Sequence, residues 1–440
     1  MKLSELIKIT GANCITPFEK DFDVSISTDT RTIKKGDFYL PLKGASFDGE
    51  KFIEQAIEKG AIGSFCTDDS ISINKSVDGE PIPLLLQVPD TLVAYLQLAN
   101  YRRRQLDFTV VAITGSSGKT TTKEIIASTL GSKYKVFKTP LNHNNEIGLC
   151  QTIFATPKDT DVLVLEMGMR GLGEIELLSK YAEPDITIIS NIGTAHIGRL
   201  GSRENIAKAK CEIVKYQRGN IFIAHNDELI KKTIDFDGEK IYYSINDVNI
   251  LEKNVDYSIF EYKNNIYKLN VSGDYNIENA LSAINVGIKL GLNIEEIKKG
   301  LEQYRPIEKR WESVFVNGFE IINDSYNANP ESMRAFLNTI FELYNDYVIV
   351  LGDMGELGEN EKQYHAELGK YIFKNKPDAK ILTVGNLSQN ISNSCNGIHF
   401  NNIEDSAEYI KNNISKTSKI FLKASRSMKF EKFIDLLLNT

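Results

Sequence analysis

Cysteine is scarce in this 440-residue chain: there are 5, at Cys14, Cys66, Cys150, Cys211 and Cys395. Odd in number, widely spaced and without a C-x-x-C pair, they build neither a disulfide framework nor a zinc site. They read as small buried hydrophobes in a reducing compartment. Positive charge is not in excess either. Against 59 Asp and Glu stand 52 Lys and Arg, a formal net charge of −7, which removes the basic face of a general nucleic-acid binder. No apolar run has the length of a membrane span, and the N-terminal MKLSELIKITGA lacks the apolar core of a signal peptide. Repeats and low-complexity tracts are missing too. A hydrophobic share of 42% and a charged share of 25% then describe a soluble, cytoplasmic chain. Its length suits roughly two to four domains, each with its own core.

What is present is concentrated in residues 108–126, FTVVAITGSSGKTTTKEII. A β-branched run at 109–113 predicts a buried strand, Thr114-Gly115-Ser116-Ser117-Gly118 a turn, and Lys119-Thr120 the start of a helix. Backbone N–H groups at such a helix start suit a chain of phosphates. Lys119 adds a point charge, and the Thr120 hydroxyl is of the type that ligates Mg²⁺. The full P-loop pattern asks for glycine where Ile113 stands, so this is the shorter form G-x-x-G-K-T-T. The strand–turn–helix context favours a nucleoside triphosphate site over a chance Gly/Ser turn.

The first hundred residues mix short elements: a helix at 51–59, a strand at 84–88 and a helix at 91–105. That last helix ends in Arg102-Arg103-Arg104, read as a solvated end favoured by the helix dipole. From 107 the pattern becomes α/β, with continuous apolar strands at 109–113, 161–165, 185–190 and 220–224, as in a parallel sheet covered on both faces. A helix at 275–290 closes this doubly wound domain. A further α/β domain starts near Pro306, with strands at 319–323, 347–351, 381–384 and 420–422 and helices at 330–343, 362–374 and 405–413. Domain boundaries are expected at 1–106, 107–305 and 306–440.

Ligands of open α/β sheets sit beyond the carboxyl ends of the strands. There the second central strand leads to Glu166, and the third leads through Asn191 to His196. Together with Thr120 they supply donors for Mg²⁺, the oxygens more readily than the nitrogen. In the expected helix 203–216, Lys210 falls between Ile206 and Ile213 on one face, while Lys208 points elsewhere. Lys210 either snorkels to solvent or is a desolvated amine open to chemical modification. The cluster Asp324-Ser325-Tyr326-Asn327-Ala328-Asn329-Pro330 is either turn and cap chemistry or the lining of a site. Asn375-Lys376-Pro377-Asp378 imitates a guanine-reading motif but falls at the amino end of its strand, and reads as a loop.

In order along the chain stand STDTR (27–31), GDFYLPLKG (36–44), GSSGKTT (115–121), NNEIG (144–148), LEMG (165–168), TAHIGRLGS (194–202), AKAKCEI (207–213), GDYNIENA (273–280), DSYNANPESM (324–333), LGDMGELG (351–358) and KASRSM (423–428). Together these resemble the Mur ligase family, over nearly the whole chain. YNANP with LGDM-x-ELG resembles its D-alanyl-D-alanine-adding branch. The resemblance implies three domains: an N-terminal α/β domain binding a UDP-sugar, a central P-loop ATPase domain and a Rossmann-like C-terminal domain. It also implies a reaction. ATP would phosphorylate the terminal carboxylate of a UDP-MurNAc-tripeptide, whose third residue is diaminopimelate or lysine. The amine of D-Ala-D-Ala would then attack the acyl phosphate. Other Mur-type or folylpolyglutamate-synthase-like amide ligases, or a nucleotide switch without ligation, are the competing expectations.

Carried onto this chain, the resemblance implies that Gly115, Ser116, Ser117, Gly118, Lys119, Thr120 and Thr121 bind the ATP phosphates. Thr120 and Glu166 would hold one Mg²⁺. A second would fall to His196 and to Lys210 as a carbamate, so Lys119, Glu166, His196 and Lys210 form the catalytic set. Asn276, Asn279 and Arg310 would contact the nucleotide, and Asp324 its ribose or phosphate. Ser27, Thr30 and Arg31 would face the UDP-sugar end, and Asn144 and Asn145 the peptide. The chain departs from the usual pattern at Pro41, Glu50, Cys150 and Ala424, none of which touches the catalytic set. It is expected to act as a monomer, without nucleic acid or membrane span.

Overall fold

Continuous runs of Val, Ile and Leu become buried strands throughout the computed structural model, which describes residues 1–18, 20–44, 47–68, 83–306 and 310–438. Those residues gather into two units, Met1–Asp107 with Thr139–Lys158, and Phe108–Lys138 with Asp159–Thr440.

The first unit holds a five-stranded sheet in the order Asn13–Cys14, Leu84–Gln87, Gly63–Cys66, Asp37–Tyr39, Ser25–Ser27. Only its first pair is antiparallel. The helix expected at 51–59 is a 3-10 turn, Gly49–Phe52, running into a helix at Ile53–Glu58. Helix Thr91–Gln105 is capped by Asp90, whose carboxylate accepts from the N–H groups of Leu92 and Val93. Its basic end is not wholly solvated, contrary to expectation. Arg103 is 1% exposed, because it continues the buried stripe of Leu96 and Ala99 at helical spacing. Segment Thr139–Lys158, central by sequence position, packs in this unit. Its Phe154 ring stacks on Tyr95 at 5.5 Å.

The second unit begins with a six-stranded sheet in the order Glu239–Tyr243, Ile221–His225, Ile186–Ile189, Thr109–Thr114, Val162–Glu166, Val136–Lys138. Every pairing in it is parallel. Helices Lys119–Leu130 and Asp274–Lys289 cover one face, with Ile125, Ile126, Ile277, Leu281 and Ile284 packed on Val111, Ile113, Val164 and Ile188. Each such fully buried aliphatic side chain stabilises the fold by about 1.5–3 kcal/mol. In register, Glu166 lies beside Ile113 and Thr114 beside Ile189. The carboxyl ends of the three middle strands therefore share one edge.

A three-stranded antiparallel sheet, Asn249–Lys253, Ser258–Tyr262 and Asn265–Leu269, was not anticipated. Its second hairpin turns through Lys263 and Asn264 at φ 48° and 61°, a turn without the glycine that usually marks it. The expected helix 203–216 is α-helical over Arg203–Cys211 and tightens to a 3-10 turn at Glu212–Val214. Another six-stranded sheet follows, in the order Glu312–Val316, Phe319–Asn323, Lys419–Lys423, Tyr347–Gly352, Ile381–Val384, Ile398–Phe400. It is parallel except for its first pair, and apolar clusters cover both faces. Asn375 ends helix Glu361–Asn375 and residues 376–378 lead on toward strand Ile381–Val384, at its amino edge as expected.

Helix Ile294–Gln303 lies against the P-loop helix with no room to spare. A Cβ on Gly300 would come within 2.4 Å of Thr129 Cα and 2.6 Å of its carbonyl oxygen, and Ser128 Oγ donates to the Gly300 carbonyl at 2.7 Å. Gly300→Ala is expected to destabilise this unit by about 1–3 kcal/mol through overpacking. A lowered thermal midpoint in calorimetry checks it; an unchanged midpoint refutes the tight approach.

Candidate active site

The turn after strand Thr109–Thr114 admits only glycine at its two ends. A Cβ on Gly115 would fall 1.9 Å from Ser190 Oγ. Gly118 has φ +75°, and a Cβ there would meet Asn279 Oδ1 at 2.8 Å. Gly118 is also the N-cap of helix Lys119–Leu130, so no side chain caps its first turn. Asn191 grips the turn's first half. Its Oδ1 accepts from the N–H groups of Ser116 at 3.1 Å and Ser117 at 2.9 Å, and its Nδ2 donates to Ser117 Oγ at 2.9 Å. Ser190 Oγ donates to the Ser117 carbonyl at 2.7 Å. Asn279 grips the other side, where its Oδ1 accepts from Thr122 Oγ1 at 3.0 Å.

Lys119 Nζ folds back to donate to the Gly115 carbonyl at 2.8 Å. Burial pulls its ammonium below the usual lysine range, opposed by the nearby Glu166 charge. Thr120 and Glu166 are each 5% exposed, and Thr120 Oγ1 donates to Glu166 Oε2 at 2.8 Å. The same hydroxyl accepts from Arg310 Nη2 at 2.8 Å, while the Arg310 guanidinium stacks 4.1 Å from the Tyr326 ring centroid. Lys123 is 1% exposed and lies 3.9 Å from Glu166 Oε2 and 3.3 Å from Glu124 Oε1. Glu124 in turn pairs with Lys138.

Lys210 is 1% exposed, between fully buried Ile206 and Ile213, and Lys208 is exposed. Snorkelling is thereby excluded. Among the described residues no carboxylate or carbonyl pairs with the Lys210 amine. Burial first, and the charge of Lys119 second, push it well below the ordinary lysine range. His196 sits in the left-handed region at φ 65°, with Nδ1 2.5 Å from Glu356 Oε2, out of hydrogen-bond alignment.

Of the remaining candidates, Asn276 gives its Nδ2 to the Ser272 carbonyl at 2.6 Å, whereas Asn279 Nδ2 and Arg310 Nε are buried without a hydrogen-bond partner among the described residues. Asp324 pairs with buried Lys423, Nζ to Oδ2 2.5 Å. Ala424, one of the departures from the usual pattern, is accommodated facing Gly352. In the first unit, Asp29 holds Arg31 by both carboxylate oxygens, Ser27 Oγ accepts from the Asp29 N–H at 3.4 Å, and Thr30 Oγ1 donates to Gln55 at 3.1 Å. The Arg31 contacts hold the Asp29 carboxyl down at about 2. Asn145 caps helix Glu146–Ala155, accepting from the Gly148 N–H at 3.0 Å, with Asn144 beside it in the chain.

Sequence reasoning missed Lys123, Glu331 and Glu356. Lys123 carried a signal, since it follows Thr120 by one helical turn. The other two reach the site only through folding. Among the described residues no cluster of three or more His, Cys, Asp or Glu is arranged to hold a metal. Thr120 and Glu166 nevertheless fit Mg²⁺, which takes one or two protein oxygens and fills its shell with phosphate and water.

Over residues 113–287 the chain matches the family model described as Mur ligase middle domain, over 309–426 that of the Mur ligase, glutamate ligase domain, and over 24–101 that of the Mur ligase family, catalytic domain. It is similar to the UDP-N-acetylmuramoyl-tripeptide–D-alanyl-D-alanine ligase of Bacillus subtilis (strain 168), at 36% identity over 457 residues, covering 100% of this chain and 98% of that one. Among solved structures it is similar to MurF from Acinetobacter baumannii, with TM-score 0.87, 29% identity and coverage of 99% and 98%. It is also similar to MurF ligase from Thermotoga maritima in complex with ADP, with TM-score 0.81, 26% identity and coverage of 94% and 96%.

Asn191→Ala removes the acceptor shared by two turn amides. With each hydrogen bond worth roughly 0.5–1.5 kcal/mol, KM for ATP is expected to rise about 10-fold. Steady-state kinetics on variant protein of unaltered thermal midpoint checks this; an unchanged KM would show that the turn holds its shape without Asn191.

Proposed function

The chain belongs to the Mur ligase family, and from that premise we propose that it joins D-alanyl-D-alanine to UDP-MurNAc-tripeptide using ATP, in the synthesis of peptidoglycan precursors. The observation that carries the substrate assignment is that the match to a D-alanyl-D-alanine ligase covers 100% of this chain and 98% of that one. The geometry around Thr120 supports the ATP half of the reaction.

The terminal carboxylate of the tripeptide attacks the γ-phosphorus of ATP, the bond to the β–γ bridging oxygen breaks, and ADP leaves. The amine of D-Ala-D-Ala then adds to the acyl-phosphate carbonyl. The tetrahedral adduct loses phosphate and a proton to give the amide. Little covalent work falls to the protein in phosphoryl transfer; positioning and charge carry it. The amides of Gly115 to Thr121 seat the phosphates at the helix start. Lys119 exchanges the Gly115 carbonyl for a β- or γ-oxygen. Arg310 and the unpartnered Asn279 Nδ2 are placed for the nucleotide. Asn276 supports that segment through Ser272, and Asp324 takes the ribose or a phosphate.

Thr120 and Glu166 would hold one Mg²⁺ and His196 with Lys210 a second, supplying Lewis-acid stabilisation of the transferring phosphoryl group. For Lys210 this needs a carbamate. The neutral amine favoured by burial adds to CO₂ and gives up a proton, turning a buried cation into a carboxylate-like anion. Ser27, Thr30 and Arg31 face the UDP-sugar, and Asn144 and Asn145 the peptide, within one unit. We assign 1–106 to UDP-sugar binding, 107–305 to ATP and 306–440 to the ligase domain, with 139–158 packed on the first. Among the described residues no helix is long and apolar enough to cross a membrane; we place the reaction in the cytoplasm, carried out by a monomer.

Phosphate release from ATP in the presence of Mg²⁺ and UDP-MurNAc-tripeptide is expected to depend on added D-Ala-D-Ala. Release with a single amino acid and none with the dipeptide would instead indicate a sister amide ligase. Lys210→Ala is expected to lose activity by at least 100-fold, on the order of removing one charged group from a transition state, with partial rescue by short-chain carboxylates. Full activity of that variant would refute the carbamate.

A further inference from the structure

Ser116 is held through its side chain as well as its amide. Its Oγ accepts from Gly193 N at 2.9 Å, one more bond from the segment that carries Ser190 and Asn191. Ser190 still belongs to the sheet, with its N–H donating to the Thr114 carbonyl at 2.9 Å. Gly193 and Thr194 lie past the strand end and need other partners. Thr194, 7% exposed, finds one beyond residue 306: its Oγ1 donates to Glu331 Oε2 at 2.9 Å. A hydroxyl given to a carboxylate is a charge-assisted bond, stronger than a neutral one. Glu331 follows Pro330 in the first turn of helix Pro330–Leu343. Its carboxyl group lies over Gly193, where a Cβ would come within 2.9 Å of the carboxyl carbon and 3.0 Å of Oε2. Among the described residues no lysine, arginine or histidine forms an ion pair with this carboxylate.

A glutamate at this place has two possible uses, and they make different demands. A carboxylate in the first turn of a helix is favoured by the helix dipole in any rotamer. Holding Thr194 needs this one side-chain direction, and that direction needs Gly193 to lack a Cβ. We propose that Glu331 is a positioning residue for ATP: through Thr194 it keeps Gly193 N on Ser116 Oγ, and so holds the Gly115–Gly118 turn in shape from the C-terminal half. The proposal rests on the reading of that turn as the seat of the ATP phosphates. It adds a third grip on the turn, beside Asn191 and Asn279, from a residue that touches neither nucleotide nor turn. The halves also meet without Glu331. Gly198 N donates to the Glu356 carbonyl at 3.2 Å, and a Cβ on Gly198 would fall 2.5 Å from Gly358 N. That backbone contact is untouched by changes at 193 or 331.

Gly193→Ala separates the two uses. The three atoms nearest its new methyl all belong to the Glu331 side chain, which can swing aside while Glu331 keeps its place in the helix. In ligand-free protein, the amides of Ser116 and Ser117 are expected to exchange with deuterium about 10-fold faster in Gly193→Ala and in Glu331→Ala than in wild type. Calorimetric titration with a non-hydrolysable ATP analogue is expected to give a Kd raised about 5- to 10-fold in both. KM for UDP-MurNAc-tripeptide should not move. Glu331→Gln, which still offers Thr194 an oxygen, is expected to stay within about 2-fold of wild type on exchange and Kd. Thr194→Val should reproduce Glu331→Ala and add nothing to it in the double variant. A helix-dipole role alone would weaken Glu331→Ala and Glu331→Gln alike and leave Gly193→Ala at wild type, and that pattern overturns the proposal. Unchanged exchange at Ser116 and Ser117 in Glu331→Ala overturns it too. Amides that respond as expected, in a protein whose wild type binds no nucleotide, would instead remove ATP from the turn and leave the hold of Glu331 on it, so the two readings fail separately.

Discussion

Two carboxamides, Asn191 and Asn279, clamp the turn between the first central strand and its helix, and the rest of the site depends on that clamp. Asn191 comes from the neighbouring strand end and takes up the amides of Ser116 and Ser117. Asn279 comes from the covering helix and lies so close to Gly118 that no side chain is possible there. With the turn pinned from both sides, Lys119 and Thr120 leave it in one direction only. Thr120 then meets Glu166 at the end of the adjacent parallel strand. A nucleoside triphosphate bound as proposed would find the turn already ordered, with the entropy of fixing it met by folding rather than by binding.

Charge explains why the pinned site is receptive. Lys119, Lys123, Lys210 and Arg310 surround a region whose anionic side chains include Glu166 and Glu124, with Glu356 further off. Holding an unpaired charge away from water costs several kcal/mol. The protein answers in part by depressing the Lys119 and Lys210 ammonium groups through burial. Under the proposed function an arriving triphosphate would supply the missing negative charge, and a carbamate on Lys210 would turn one cation of the set into an anion. Lys123 has a different part. Wedged between Glu166 and Glu124, it keeps the Glu166 carboxylate oriented toward Thr120 while Arg310 approaches the same hydroxyl from the other side.

The sequence was most legible where physics is local. Strands of continuous Val and Ile, the P-loop turn, and the buried stripe of Ile206, Lys210 and Ile213 all follow their patterns, although Ile213 lies in the 3-10 turn that ends the helix. Lys210 shows the limit of pattern alone: spacing left it between snorkelling and burial, and packing decided. The antiparallel sheet at 249–269 escaped because its strands are short and its Lys263-Asn264 turn lacks glycine. Arg103 escaped because a cluster of three arginines hides that the middle one continues an apolar stripe. Segment 139–158 escaped because chain order says nothing about which core Phe154 joins. Glu331 and Glu356 carry no local mark either; each is an ordinary exposed-type residue until the fold sets it against residues more than a hundred positions away.

That last class of residue says how the two halves of the second unit depend on one another. Three contacts from beyond residue 306 land on the edge where the P-loop strand ends: Arg310 on Thr120, Glu331 on Thr194, Glu356 on His196. The backbone fit of Gly198 on Gly358 leaves no slack for a partial version of that approach, since a shift of an ångström would part the Glu356 carbonyl from Gly198 N. Packed interfaces of this kind are bistable rather than continuously deformable. Residues 107–305 alone therefore hold the Gly115–Gly118 turn and Glu166 but lack the guanidinium on Thr120 and the carboxylate beside His196. Phosphoryl transfer needs both charge and orientation at once, and under the proposed function the residues beyond 306 would supply part of each.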